Sequence, residues 1–333
     1  MDSRIGHIEH VCGCAFHVDL MLDKAQHRVT KDEPQDDTIR DVILPPLVIT
    51  LARLLASRFR RVADEGLDEA VAALAAATTL DGIKSAIGRI SLGLGGRLAE
   101  SAGGDVKRAV ESFYQAAKLQ AATELGLKPR LGRPDTLSQE WMGRAYPWWI
   151  GEYHSTVLGK QIAAIAQHAI LELGLSGNEL SQLVRAQLTR LYGLGPGEKS
   201  PVKVPRSFRG NPEMYWVGLA NNAATTARVF ARLSAMEEAG ITRYVLVTVG
   251  DERVCSLCRW MEGKEFTVAQ GVAQRARILQ TTNSEEYKAV AGWRTLKQAQ
   301  DIFDGGGSDG LVEAGMHCPP LHYLCRCDLQ AVL

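Results

Sequence analysis

Apolar residues recur at helical spacing through most of the first two thirds of the chain. The segment Leu47 to Ala63 follows two prolines and repeats an apolar residue every three or four positions, which predicts an amphipathic helix. The alanine-rich stretches at 67–77 and 105–125 are also predicted to be helical. Between them, the glycine-rich segment Gly93 to Gly104 is predicted to interrupt or hinge the pair. The pattern therefore indicates a mainly α protein.

The helical pattern continues through two further segments. Thr136 to Leu173 contains a cluster of tryptophans, and Ser176 to Tyr192 adds another helix. Basic residues are not closely interleaved with Trp141, Trp148 and Trp149, so we expect these rings to form core or a protein interface rather than a platform for stacked bases.

A linker is predicted where glycines and prolines exclude both a helix and a central strand, between residues 193 and 210. Basic residues in this stretch are expected to be solvated. The sequence thus divides into an N-terminal arm (1–44), a helical domain (45–192), the linker (193–210) and a C-terminal module (211–333).

The C-terminal module mixes the two kinds of secondary structure. Pro212 to Gly240 is predicted to be one long helix, and Tyr244 to Val249 is the strongest strand pattern in the chain. A helix is expected from Ser284 to Phe303, followed by a flexible segment from Asp304 to Asp309. The predicted fold class is mainly α with a small C-terminal α+β module.

Composition and charge are those of an ordinary globular protein. The 333 residues are 46% hydrophobic and 23% charged, and 38 basic residues balance 38 acidic ones. A chain without net charge has no long-range attraction for nucleic acid or anionic membranes. The first residues contain no apolar core of a signal peptide, and no apolar run approaches the length of a bilayer span. We expect a soluble protein, made in the cytoplasm, without a membrane partner.

The cysteines carry the clearest chemistry. Of seven in the chain, five lie in two clusters near the C-terminus, beside histidine. Cys255 and Cys258 form a Cys-x-x-Cys pair, and His322 and Cys325 repeat that spacing, with Cys327 close behind. Such pairs place two ligand atoms on one tetrahedral ion. The pattern predicts a Cys₃His metal centre.

Zn²⁺ is the expected ion, because three thiolates and an imidazole form a closed tetrahedral set without a position for a reactive water. The centre is therefore predicted to be structural. Cys325 is preferred over Cys327 as the fourth ligand, although both are in reach. Two alternatives are a disulfide formed in oxidising surroundings and a set of inert buried thiols. Cys12 and Cys14 of the N-terminal arm, with their neighbouring histidines, are not predicted to bind metal.

These motifs resemble the phage Mu F-like minor head proteins. The resemblance rests on Asp251 to Cys258 (Asp-Glu-Arg-Val-Cys-x-x-Cys), Gly263 to Phe266 (Gly-Lys-Glu-Phe), and Pro319 to Cys327 (Pro-Pro-Leu-His-x-x-Cys-Arg-Cys). It extends over roughly Pro212 to the C-terminus and includes the lead-in helix with Asn221 and Asn222.

The resemblance implies a head-morphogenesis or minor capsid protein of a tailed bacteriophage rather than an enzyme. Its expected partners are the portal protein and the major capsid or scaffold protein, with possible weak contact with packaged DNA and no small-molecule substrate. Its expected location is the virion head, after synthesis in the host cytoplasm.

Two other classes of function are alternatives. One is a toxin-type effector, since related modules occur fused to effector enzymes; such domains follow the zinc motif, and this sequence ends at Leu333. The other is a DNA-binding zinc module that uses Arg253, Arg259, Lys264 and Arg326. Zero net charge argues against DNA binding as the main activity.

Overall fold

A computed structural model describes residues 44–77, 79–152, 159–191, 212–251 and 254–333. The predicted arm, with Cys12 and Cys14, lies almost entirely outside these ranges, as does the predicted linker. No helix among the described residues combines the length and apolar character that crossing a membrane requires.

Before the predicted linker, the described residues form five helices: α1 (Leu44–Ala75), α2 (Leu80–Glu124), α3 (Arg133–Glu152), α4 (Gly159–Leu173) and α5 (Gly177–Leu191). Helix α1 joins two segments that the sequence suggested separately. The fold class is confirmed, since the described chain is mainly helical and its few strands lie near the C-terminus.

The prediction of a hinge at Gly93 to Gly104 is wrong, because helix α2 runs through this segment without a break. The reason is tertiary packing. Leu94, Leu98, Ala102 and Val106 form a buried stripe at four-residue spacing, and α2 packs along α1. Each interior glycine costs a helix about 0.5–1 kcal/mol, and this continuous apolar face outweighs that cost.

Helix α6 (Pro212–Glu238) confirms the long C-terminal helix and lies at the centre of the fold. It packs against α1, α2 and α3, and one hydrophobic core extends from these helices into the C-terminal module. Ion pairs anchor α6 to α2, from Arg232 to Glu124 at 2.7 Å and from Lys118 to Glu238 at 2.8 Å. The module is therefore built directly onto the helical bundle.

Trp141 and Trp149 are core residues, as predicted, and Trp148 is half-buried against the same core. Trp141 and Trp149 are buried. Trp149 stacks on Trp293 with ring centroids 5.4 Å apart, and Trp141 lies 5.5 Å from the ring of Tyr287. This aromatic cluster joins helix α3 to the C-terminal module.

The predicted strand is the middle strand of a small antiparallel sheet ordered β2-β1-β3. Strand β1 (Arg243–Val247) pairs with β2 (Glu265–Thr267), where Tyr244 faces Phe266, and with β3 (Asp328–Val332). Helix α7 (Ser256–Met261) lies between β1 and β2, and α8 (Val268–Ile278) follows β2.

The segment from 284 to 309 differs from the prediction. Two helices, α9 (Ser284–Val290) and α10 (Leu296–Glu313), take the place of the single helix that was expected. Residues 304–309 lie within α10. The break falls at Gly292, whose φ is +63° and whose Cβ, if present, would lie 2.4 Å from the carbonyl oxygen of Ala314. The segment expected to be flexible is instead helical, with a kink at Gly307.

Candidate metal centre

The first half of the centre is built on the start of helix α7. Cys255 is the N-cap residue of α7, and its Sγ accepts a hydrogen bond from the backbone N–H of Cys258 at 3.4 Å. Leu257 and Met261 are buried and anchor this short helix in the core. Both thiols therefore face the same side of a fixed turn.

The second half is a tight turn in which the N–H of Cys325 donates to the carbonyl of His322 at 3.1 Å. The residues that lead into it form bends and turns, and the Pro319–Pro320 peptide bond is cis. The turn again directs two ligand side chains, three residues apart, to one side.

The fold brings the two halves into contact. Nε2 of His322 lies 3.3 Å from Sγ of Cys255 and 3.1 Å from Sγ of Cys258. Sγ of Cys258 lies 3.8 Å from Sγ of Cys325. Ligand atoms around a tetrahedral Zn²⁺ are roughly 3.5–3.8 Å apart, given Zn–S and Zn–N bonds of about 2.3 and 2.0–2.1 Å. The sulfur–sulfur separation of 3.8 Å lies in this range, and the two sulfur–nitrogen separations are slightly shorter, so the cluster has approximately the dimensions of such a site.

All five predicted ligands belong to this cluster. Cys255, Cys258 and His322 form one group whose ligand atoms lie within 4.8 Å of one another, and Cys258, Cys325 and Cys327 form a second. Either group could hold a metal ion such as zinc. Cys258 is common to both, so it lies at the centre of the cluster.

No disulfide joins the cysteines of the described ranges. The 3.8 Å between Sγ of Cys258 and Sγ of Cys325 is far beyond a sulfur–sulfur bond of about 2.05 Å. The fifth cysteine near the C-terminus, Cys318, is buried and does not belong to either group.

The ligands differ in how readily they lose a proton. Hydrogen bonding from the Cys258 thiol, followed by His322, lowers the pKa of Cys255 to about 4. Burial disfavours the charged form of His322, but the hydrogen bond to Cys255 and the charge of Cys325 outweigh it and raise the pKa of the imidazole. The pKa of Cys258 is raised by its hydrogen bond to Cys255. The cluster therefore stabilises the thiolate of Cys255, and the thiolate is the form of cysteine that a metal ion binds.

Arg326, between the two candidate thiols, ties the halves together. Its guanidinium donates to both carboxylate oxygens of Asp251, at 2.8 and 2.7 Å, so the turn before Cys255 is joined to the segment after His322. Lys264 lies 4.1 Å from the ring centroids of both Trp260 and Phe303, linking α7 to α10. Both cations serve contacts within the module.

Helix α6 contributes polar side chains that sequence reasoning did not include in the site. Asn221 and Thr225 donate to the carbonyl oxygen of Cys325, at 3.1 and 2.9 Å, and Asn222 donates to that of Tyr323 at 3.4 Å. A signal was present, because asparagine and threonine are poor formers of helix interiors. The pattern could not indicate which backbone they would meet.

Comparison with known protein families, curated proteins and solved structures finds no match to this chain.

Proposed function

We propose that the protein is a minor head protein of a tailed bacteriophage, in which one structural zinc ion holds the C-terminal module together. The ligands are Cys255, Cys258, His322 and one thiol from the segment 325–327. The observation that carries the metal proposal is the convergence of two turns, 64 residues apart between Cys258 and His322, on a single cluster.

The contacts of the motif residues support the resemblance to Mu F-like proteins. Asp251 opens the first motif and binds Arg326 of the last. Phe266, which ends the second motif, pairs with Tyr244 across the sheet. Each stretch of the motif therefore has a role in one small module, as expected of a sequence pattern maintained by a common fold.

A structural role for the metal follows from its surroundings. The donor set provides more thiols than a closed tetrahedral site needs, so every position around the ion is taken by protein. Among the described residues after helix α6, the cluster lies between short elements such as helix α7 and the three-stranded sheet, and metal binding contributes folding free energy to the elements that it joins. In this proposal the helical bundle docks on portal, capsid or scaffold protein. Because Arg326 and Lys264 are engaged within the module, they favour this role over binding to DNA.

The metal is tested by elemental analysis of protein purified without added chelator. We expect about one zinc ion per chain, and loss of the ion in Cys255→Ser or His322→Ala. Cys318→Ser, a buried cysteine outside the cluster, is the matched control and should retain the ion. Stoichiometric zinc in the His322 variant would contradict this ligand set.

The assembly role needs a separate test. The protein should co-purify with phage heads or portals and be detected by mass spectrometry in particles or assembly intermediates. Its absence from both fractions, despite expression during infection, would refute the proposed role in head assembly and leave the metal proposal standing.

A further inference from the structure

Five donor side chains form two overlapping groups that share Cys258, whereas a tetrahedral ion needs four ligands. Cys325 and Cys327 are both buried, and each lies within 4.8 Å of Cys258 at the sulfur atoms. They are two positions apart, and side chains at that spacing in an extended segment lie on the same side. Proximity alone therefore does not select one of the two thiols.

The backbone of Cys325 is fixed from both sides. Its N–H donates to the carbonyl of His322 at 3.1 Å, which closes the ligand turn. Its carbonyl oxygen accepts from Nδ2 of Asn221 at 3.1 Å and from Oγ1 of Thr225 at 2.9 Å. The two donors are one helical turn apart on α6, so they face the same direction.

The backbone near Cys327 is fixed by other contacts. Asp328 follows it, begins strand β3, and is bound by Nε of Arg232 at 3.0 Å. Strand β3 pairs with β1 from its first residue, where Asp328 faces Val247. Cys327 is thus positioned by the sheet, whereas Cys325 is positioned by the same turn that carries His322.

The two half-sites are consequently alike. In each, the ligands are three residues apart on a hydrogen-bonded turn: Cys255 with Cys258, and His322 with Cys325. The second turn is also held by side chains from helix α6.

We propose that Asn221 and Thr225 are positioning residues that select Cys325 as the fourth ligand. Cys327 then does not bind the ion but can replace Cys325 when Cys325 is displaced. This inference rests on the proposed metal centre. Groups that orient a metal ligand typically change metal affinity by about 10–100-fold when they are removed. The bundle helix α6 would then determine how tightly the C-terminal module binds its ion.

The test uses the full chain and Co²⁺, whose thiolate charge-transfer absorption reports the number of bound cysteines. We expect Cys327→Ser to bind Co²⁺ with an affinity and absorption close to those of the wild type, and Cys325→Ser to bind more weakly. In the Cys327→Ser background, Asn221→Ala with Thr225→Val should weaken binding by about 10–100-fold. In the wild-type background the same two substitutions should reduce Co²⁺ affinity by a smaller factor, because Cys327 can replace Cys325 as a ligand.

Two controls separate positioning from general destabilisation. Thr225→Ser keeps the hydroxyl and should restore the affinity that Thr225→Val loses. Ser234→Ala removes another buried polar group of α6, which accepts from Arg275 rather than contacting the ligand turn, and should leave Co²⁺ affinity unchanged.

Three results would each overturn a different part of this proposal. Loss of Co²⁺ in Cys327→Ser with retention in Cys325→Ser would overturn the ligand choice. An unchanged affinity after loss of both donors in the Cys327→Ser background would overturn the role of α6. A wild-type chain that binds neither Co²⁺ nor zinc would overturn the proposed metal centre, and this inference with it.

Discussion

Gly218 of helix α6 lies directly against the turn that carries the second pair of ligands. A Cβ added at Gly218 would lie 2.4 Å from Cε1 and 2.9 Å from Cδ1 of Tyr323, and 3.0 Å from Cδ2 of Leu324. The ring of Tyr323 cannot easily move away, because it is buried and packs at 5.9 Å from Trp149. Gly218→Ala should therefore displace the residues between His322 and Cys325.

Two effects of opposite sign determine the size of the change. Alanine is favoured over glycine within a helix by about 0.5–1 kcal/mol. Overpacking a filled core costs typically about 1–3 kcal/mol. Since a 2.4 Å contact with a held aromatic ring is severe, we expect overpacking to prevail and the free energy of unfolding to fall by about 1–2 kcal/mol.

The assay is equilibrium urea unfolding of the metal-loaded chain, with metal affinity measured in parallel. Gly103→Ala is the matched control, because Gly103 lies inside helix α2 and an added Cβ would meet nothing within 4 Å. It should raise the free energy of unfolding by about 0.5–1 kcal/mol. If Gly218→Ala stabilised the protein as much as Gly103→Ala, the close packing of α6 on the ligand turn would be refuted.

Other predictions concern buried charge away from the centre. Lys118 is buried, with Nζ 3.3 Å from Asp135 and 2.8 Å from Glu238. Lys118→Met should lower the free energy of unfolding by about 3 kcal/mol, measured by urea unfolding, because it leaves the buried Asp135 carboxylate without its cation. The exposed Lys84→Met should cost less than about 0.5 kcal/mol, and equal losses would contradict this reasoning. Burial lowers the pKa of His317 to about 4, below its unfolded value of about 6.5. Because His317 stays neutral in the folded state while it becomes protonated in the unfolded state, the free energy of unfolding should fall by about 3 kcal/mol as the pH falls from about 6.5 to 4. The difference in unfolding free energy between the wild type and His317→Gln, measured across this range, should show that loss, and a pH-independent difference would disprove it.

Local patterns anticipated much of this molecule. The long helix from Pro212, the strand around Tyr244 and the burial of Trp141 follow from periodicity and residue type, which act within a few residues. Local patterns gave the wrong prediction at Gly93 to Gly104, because they do not include tertiary packing. There a buried stripe that faces helix α1 maintains the helix. Local patterns also missed the break at Gly292, which depends on a close approach to Ala314, far away in the chain.

The sequence by itself determined the two ligand pairs, because a spacing of three residues on a turn directs both side chains to one ion. Only the tertiary structure brought Cys258 to His322, across 64 residues, and placed Cys327 beside the ligands already present. It alone set Asn221 and Thr225 against the carbonyl of Cys325, since a helix pattern shows which face is polar but not which backbone that face will meet.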